Sequence, residues 1–173
     1  KALRIKPNVA ETYNNLGVVQ KALGDKPSSL SSFERAIELK PDLAEAYSNL
    51  GIVQKDLGYF NDAKDTFVKA LRIKPNVAET YNNLGVLAKK TGQLHEAQYY
   101  YQKAISLDPE NANAHSNLGA VYYEVDKSSC AISSYERALE INPDYVEAHN
   151  NLGNILQKLR RFEESEASYR QAI

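Results

Sequence analysis

Cysteine is nearly missing from the 173 residues: Cys130 stands alone, so no disulfide can close within the chain. A solitary thiol suits a reducing compartment, and a cytoplasmic location is the expectation. An excess of charge is missing as well. With 21 basic against 22 acidic residues the chain offers no net basic charge, and that argues against a nucleic-acid partner. No apolar run approaches the roughly 18 residues of a membrane span, so no membrane association is expected. Methionine is absent even at the first position, and the sequence starts and stops inside a repeating pattern, so a targeting signal would lie outside it. Glycine never clusters into a phosphate-cradling loop.

What the sequence does contain is a beat. Asn-Leu-Gly recurs at Asn15-Leu16-Gly17, Asn49-Leu50-Gly51, Asn83-Leu84-Gly85, Asn117-Leu118-Gly119 and Asn151-Leu152-Gly153, each step 34 residues long. Pro7, Pro41, Pro75, Pro109 and Pro143 keep the same interval. Fixed self-similarity at this period marks a solenoid of stacked supersecondary units. In residues 44–77, Ala44, Tyr47, Leu50, Gly51, Val53 and Leu57 make one helical face, and Gly58 then interrupts. Ala63, Phe67, Ala70, Leu71 and Ile73 form a second face that Pro75 stops. The unit is helix, turn, helix. Gly51 and Ala63 let the two backbones approach, with Tyr47 and Phe67 filling the space beside them. Capping boxes are expected at Asp42…Glu45, Asn8…Glu11, Asn76…Glu79 and Asp144…Glu147, with Glu110 and Asn113 in those places in the fourth unit. Pro27 falls where the second helix of the first unit begins, a position that tolerates proline.

The interval, the aromatic–x–x–Leu–Gly run, the alanine and aromatic of the second helix and the closing proline resemble the tetratricopeptide repeat over the whole chain. Ser29 and Ser165 depart from the small alanine of the pattern, His115 and His149 from the aromatic of Tyr13, Tyr47 and Tyr81, and Asp126 and Arg160 from the turn glycine of Gly24, Gly58 and Gly92. The resemblance implies an all-α, right-handed superhelical solenoid in which the first helices line the concave side. The expected plan is one solenoid over residues 1–173. Residues 1–9 end a preceding repeat, followed by repeats at 10–43, 44–77, 78–111, 112–145 and an incomplete 146–173. Residues 1–18 are identical to residues 69–86, which points to duplication. Neither end carries a polar capping helix, so further units or other copies are expected to stack there, including head-to-tail self-association.

On that layout the groove is acidic at one lip (Glu11, Glu45, Glu79, Glu147) and basic at the other (Lys21, Lys55, Lys89). The middle is rich in amides: Asn14, Asn82 and Asn150, beside the ladder Asn15, Asn49, Asn83, Asn117 and Asn151. The glutamates suit helix starts and the lysines helix ends without any ligand. Asparagine is poor inside a helix, so five at equivalent places need compensation, either from bonds between helices or from a ligand. First helices roughly 8–10 Å apart would meet an extended peptide, advancing about 3.3 Å per residue, at every third residue. Each amide could then donate to a carbonyl and accept from an N–H. The arrangement resembles the asparagine ladder of the repeats in O-linked N-acetylglucosamine transferases, whose catalytic domain is absent here. A carboxylate clamp is not expected, because Glu79 and Asn83 stand where its cations would be. His95, His115 and His149 show no ligand spacing with a carboxylate or thiol. The function expected is a non-catalytic module binding a protein or peptide, with no catalytic, cofactor or metal site. Its alternatives are the recruiting segment of a larger glycosyltransferase and a self-assembling solenoid.

Overall fold

Each 34-residue beat folds into a pair of helices because glycine-type turns and extended linkers cut the apolar pattern at fixed places. The computed structural model describes residues 9–173, which leaves outside it the expected helix tail of residues 1–9, save Val9, and the capping role of Asn8. Among the described residues there are ten α-helices and no strand. The chain divides into two compact units, one running to Asn83 and the other from Leu84 to Ile173. The first contains α1 (Val9–Ala22), α2 (Lys26–Leu39), α3 (Ala44–Leu57) and α4 (Phe60–Ile73); the division falls inside α5 (Ala78–Lys90). The second contains α6 (Leu94–Leu107), α7 (Ala112–Glu124), α8 (Ser128–Ile141), α9 (Val146–Lys158) and α10 (Phe162–Gln171). In the first unit α1 packs on α2, α2 on α3 and α3 on α4; in the second, α6 through α10 pack likewise, each on the next. No helix is long and apolar enough to cross a membrane among the described residues.

The turn inside each pair has one geometry. Gly58 adopts φ 86°, its N–H bonding the Lys55 carbonyl at 3.1 Å while the next N–H, of Tyr59, reaches the Gln54 carbonyl at 2.8 Å. This is the double bond that closes a helix with a left-handed residue. Asp126 (φ 57°) and Arg160 (φ 60°) take the same conformation without being glycine, and their N–H groups bond Tyr123 and Gln157 equivalently at 3.1 and 3.0 Å. The substitution at the turn therefore leaves its geometry intact.

Inside each pair, the glycine of Asn-Leu-Gly faces an aromatic ring sixteen residues on. A Cβ on Gly51 would lie 2.7 Å from the Phe67 ring, and one on Gly85 would lie 2.5 Å from Tyr101. The ring thus rests on the glycine itself rather than beside a contact of Gly51 with Ala63. Ser29 and Ser165 are buried where other units have alanine, and each hydroxyl donates to a carbonyl of the first helix, that of Gly17 at 2.7 Å and that of Gly153 at 2.9 Å. A hydrogen bond to the opposing backbone makes a buried serine acceptable there. Between pairs, Phe33, Leu50 and Val53 form a buried cluster flanked by Leu30, Ile37 and Leu57.

The expected capping boxes need correction. α3 is preceded by Leu43 and α9 by Tyr145, neither giving a side-chain cap, because the chain makes one further extended step after Asp42 and Asp144. In the fourth unit the cap is Asn111, not Glu110, and its Oδ1 accepts from the Ala114 N–H at 3.0 Å. α2 is capped by Asp25, which accepts from the Ser28 N–H at 3.1 Å, and Pro27 sits in its first turn.

Candidate functional site

Within each Asn-Leu-Gly triplet of α3, α7 and α9, leucine and glycine are buried and the asparagine is half-buried at the surface of the first helix. A helix turns about 100° per residue, so three consecutive residues cannot share one environment. Asn49, Asn83, Asn117 and Asn151 are half-buried and Asn15 is exposed.

In the first unit the amides form a chain of bonds between helices. Asn14 is only 3% exposed; its Nδ2 donates to Glu45 Oε1 at 3.1 Å and its Oδ1 accepts from Asn49 Nδ2 at 3.0 Å. Asn14 is thus a tie between α1 and α3 rather than an open groove contact. At the equivalent place Ser48 makes the tie between α3 and α5, its hydroxyl meeting that of Thr80 at 2.9 Å. Lys40 Nζ donates to Glu11 Oε1 at 2.6 Å, and this bond holds the Glu11 carboxyl below its ordinary range and raises the Lys40 ammonium. Lys21 is half-buried, and Lys55 lies 3.5 Å from its neighbour Asp56.

The second unit uses different partners at the same places. The Tyr145 hydroxyl donates to Asn113 Oδ1 at 2.8 Å and also meets Ser116, so one side chain at the start of α9 spans back to α7. Asn151 bonds the hydroxyl of the buried Tyr135. Asn150 is exposed, and Lys89 pairs with Glu124 at 3.3 Å. His115 and His149 occupy the aromatic slot of their helices. Each Nε2–H donates to the carbonyl of the preceding proline, Pro109 at 3.0 Å and Pro143 at 2.8 Å, since a carbonyl can only accept. Among the described residues no group of three or more His, Cys, Asp or Glu side chains gathers to hold a metal ion.

The position just before each first helix escaped sequence reasoning. It holds Leu43, Val77, Asn111 and Tyr145 in successive units, and its variation within a regular beat is the signal that could have exposed it.

Family models agree with this geometry. A TPR repeat model matches residues 22–58, 89–126 and 130–159, and tetratricopeptide repeat models match residues 44–77, 66–99 and 146–173. The chain belongs to the tetratricopeptide repeat (TPR) family. As a TPR protein it is a scaffold for protein–protein interaction. Among solved structures, MamA is 25% identical with a TM-score of 0.78, the match covering 90% of this chain and 91% of MamA. PilF of Pseudomonas aeruginosa, 23% identical, has a TM-score of 0.90 over 95% of this chain and 75% of its own. YrrB, 24% identical, has a TM-score of 0.72 over 97% of this chain and 87% of its own. The last two share the TPR fold. No curated protein matches the TPR chain by sequence.

Proposed function

We propose that this TPR chain is a non-catalytic module, acting as one run of repeats, that grips an extended peptide along the faces bearing Asn15, Asn49, Asn83, Asn117 and Asn151. The observation that carries this reading is the recurrence of an asparagine in one register at the surface of successive first helices, above a Leu-Gly pair that is buried in every one but α1. Such amides offer both a donor and an acceptor to main chain, so the grip tolerates many sequences. YrrB, described as a TPR protein with an unusual peptide-binding site, gives the proposal a precedent on the same fold. A recruiting segment of a glycosyltransferase of the O-linked N-acetylglucosamine type is a narrower form of the same reading, and the full-length sequence decides it. An intracellular setting suits the exposed Cys130 thiol.

The test is a pull-down, read by mass spectrometry, with the wild-type chain and a variant carrying Asn49→Ala, Asn83→Ala and Asn117→Ala. Wild type is expected to capture extended, disordered segments and the variant to lose them while keeping its helical circular dichroism. Capture of the same few proteins by both would sink the ladder reading. Because Asn49 also bonds Asn14, the variant should melt slightly lower, the net loss being about 1 kcal/mol for a single bond.

One observation favours self-association as a second reading. Leu16 and Val19 of α1 and Leu23 just after it are exposed, whereas their equivalents Leu50, Val53 and Leu57 pack against α2. A second copy could lay a helix there; sedimentation velocity across a concentration series separates this from a monomer.

A further inference from the structure

The first unit holds an open cleft beside the residue that precedes a first helix. It lies between α3, the end of α4 and the start of α5, with a volume of ≈ 570 Å³. Its apolar lining comes from Ile52, Ile73 and Val77, and Asn49 of the ladder stands at its wall. Two short side chains set it apart from the equivalent places in the chain. Between α1 and α3, Asn14 reaches across to both Glu45 and Asn49; here its equivalent is the shorter Ser48, which makes a single contact across, to Thr80. Between α7 and α9, Tyr145 spans the space to Asn113; here its equivalent is Val77. Short residues at both bridging positions coincide in this one unit.

Charge adds a second restriction. Asp42, Glu45, Glu79 and Lys74 are the charged residues of its lining. Glu45 already accepts from Asn14 and Asp42 lies near Lys40, which leaves Glu79, exposed in the first turn of α5, as the carboxylate facing a ligand.

We propose that this cleft is a specificity pocket for an aliphatic side chain followed in the bound peptide by a lysine or arginine. The inference rests on the peptide-groove reading: the ladder holds main chain beside the pocket, and the pocket chooses the register. The aliphatic group gains from leaving water against Ile52, Ile73 and Val77, and the cation gains from the Glu79 carboxylate, which also favours encounter.

The experiment is fluorescence anisotropy with three labelled peptides on a common Gly-Ser backbone, carrying Leu-Arg, Ser-Arg or Leu-Glu at the centre. Leu-Arg is expected to bind at least about tenfold tighter than either control. Val77→Tyr, copying the side chain that spans the α7–α9 cleft, should bring all three to one affinity. Glu79→Gln should narrow the gap between Leu-Arg and Leu-Glu alone, and it tests the charge element if the tyrosine variant folds poorly. Three equal affinities on the wild-type chain would overturn the pocket while the backbone-reading groove stands. A preference that survives Val77→Tyr with a normal melting curve would also overturn it, since selection would lie elsewhere. No binding of any peptide would remove the groove reading and the pocket together.

Discussion

A ring laid on a glycine tolerates no extra atom, and the distances rank how badly each site would suffer. An added Cβ meets Tyr101 at 2.5 Å on Gly85 but Tyr135 at 3.1 Å on Gly119. Gly85→Ala is therefore expected to destabilise by about 1–3 kcal/mol, the usual range for overpacking, and Gly119→Ala by clearly less. Urea denaturation of the two variants checks the order. The sequence makes a small residue at these places legible, because Gly recurs on the beat beside a leucine. It does not make the partner legible: whether Phe67 lies on Gly51 or beside it depends on how the two helices are rotated about their axes. The same holds for Asn14. Its bonds run to Glu45 and Asn49, and which of two equivalent amides turns inward is settled by packing between helices.

At the scale of the element, helix existence was the easiest thing to read and helix starts the hardest. The apolar period and the turn residues bound every described pair, and Asp126 and Arg160 show that a turn can persist where glycine does not. The capping boxes at Asp42 and Asp144 failed because the motif was right in spacing but the chain enters its helix one residue later. Second helices carry a clearer lesson. Asp25 caps α2, while the equivalent Tyr59, exposed, gives α4 no side-chain cap. Tyr59→Asp should stabilise the chain by about 0.5–1 kcal/mol, from one satisfied N–H and a negative charge at the helix start. A shift of the thermal midpoint upward checks it; no shift would mean the aspartate does not reach the N–H groups of the first turn.

At the scale of the whole molecule, one slot separates the two units in a way that pH can read. The ring facing the triplet glycine is Phe33 or Phe67 in the first unit and Tyr101, Tyr135 or Tyr169 in the second. Burial holds the Tyr101 and Tyr135 hydroxyls well above their ordinary pKa, with nearby Glu124 adding to the effect on Tyr101. A raised folded pKa means that the folded state keeps its proton longer than the unfolded chain. Stability from these groups is complete below about pH 10 and falls as pH rises further, by up to about 1.4 kcal/mol per pH unit for each tyrosine. Alkaline unfolding should thus begin in residues 84–173 and spare the first unit, as hydrogen exchange at pH 9 and pH 11 would show. Tyr101→Phe and Tyr135→Phe together should remove most of the difference, leaving the smaller part that burial of Tyr145 contributes. Tyr101 has no partner for its buried hydroxyl, so its replacement loses no bond at neutral pH.

The residue before each first helix has a further meaning. Asn111 caps its helix from that position, whereas Leu43 and Tyr145 do not, and Val77 lines the open cleft. One position thus either caps a helix or lines a cleft, and if the cleft is the proposed pocket, a mutation there exchanges fold robustness for a new preference. Descendants of this chain can change what they hold by a single substitution between helices, leaving every packed position untouched, and selection for a new partner need not wait for the scaffold to change.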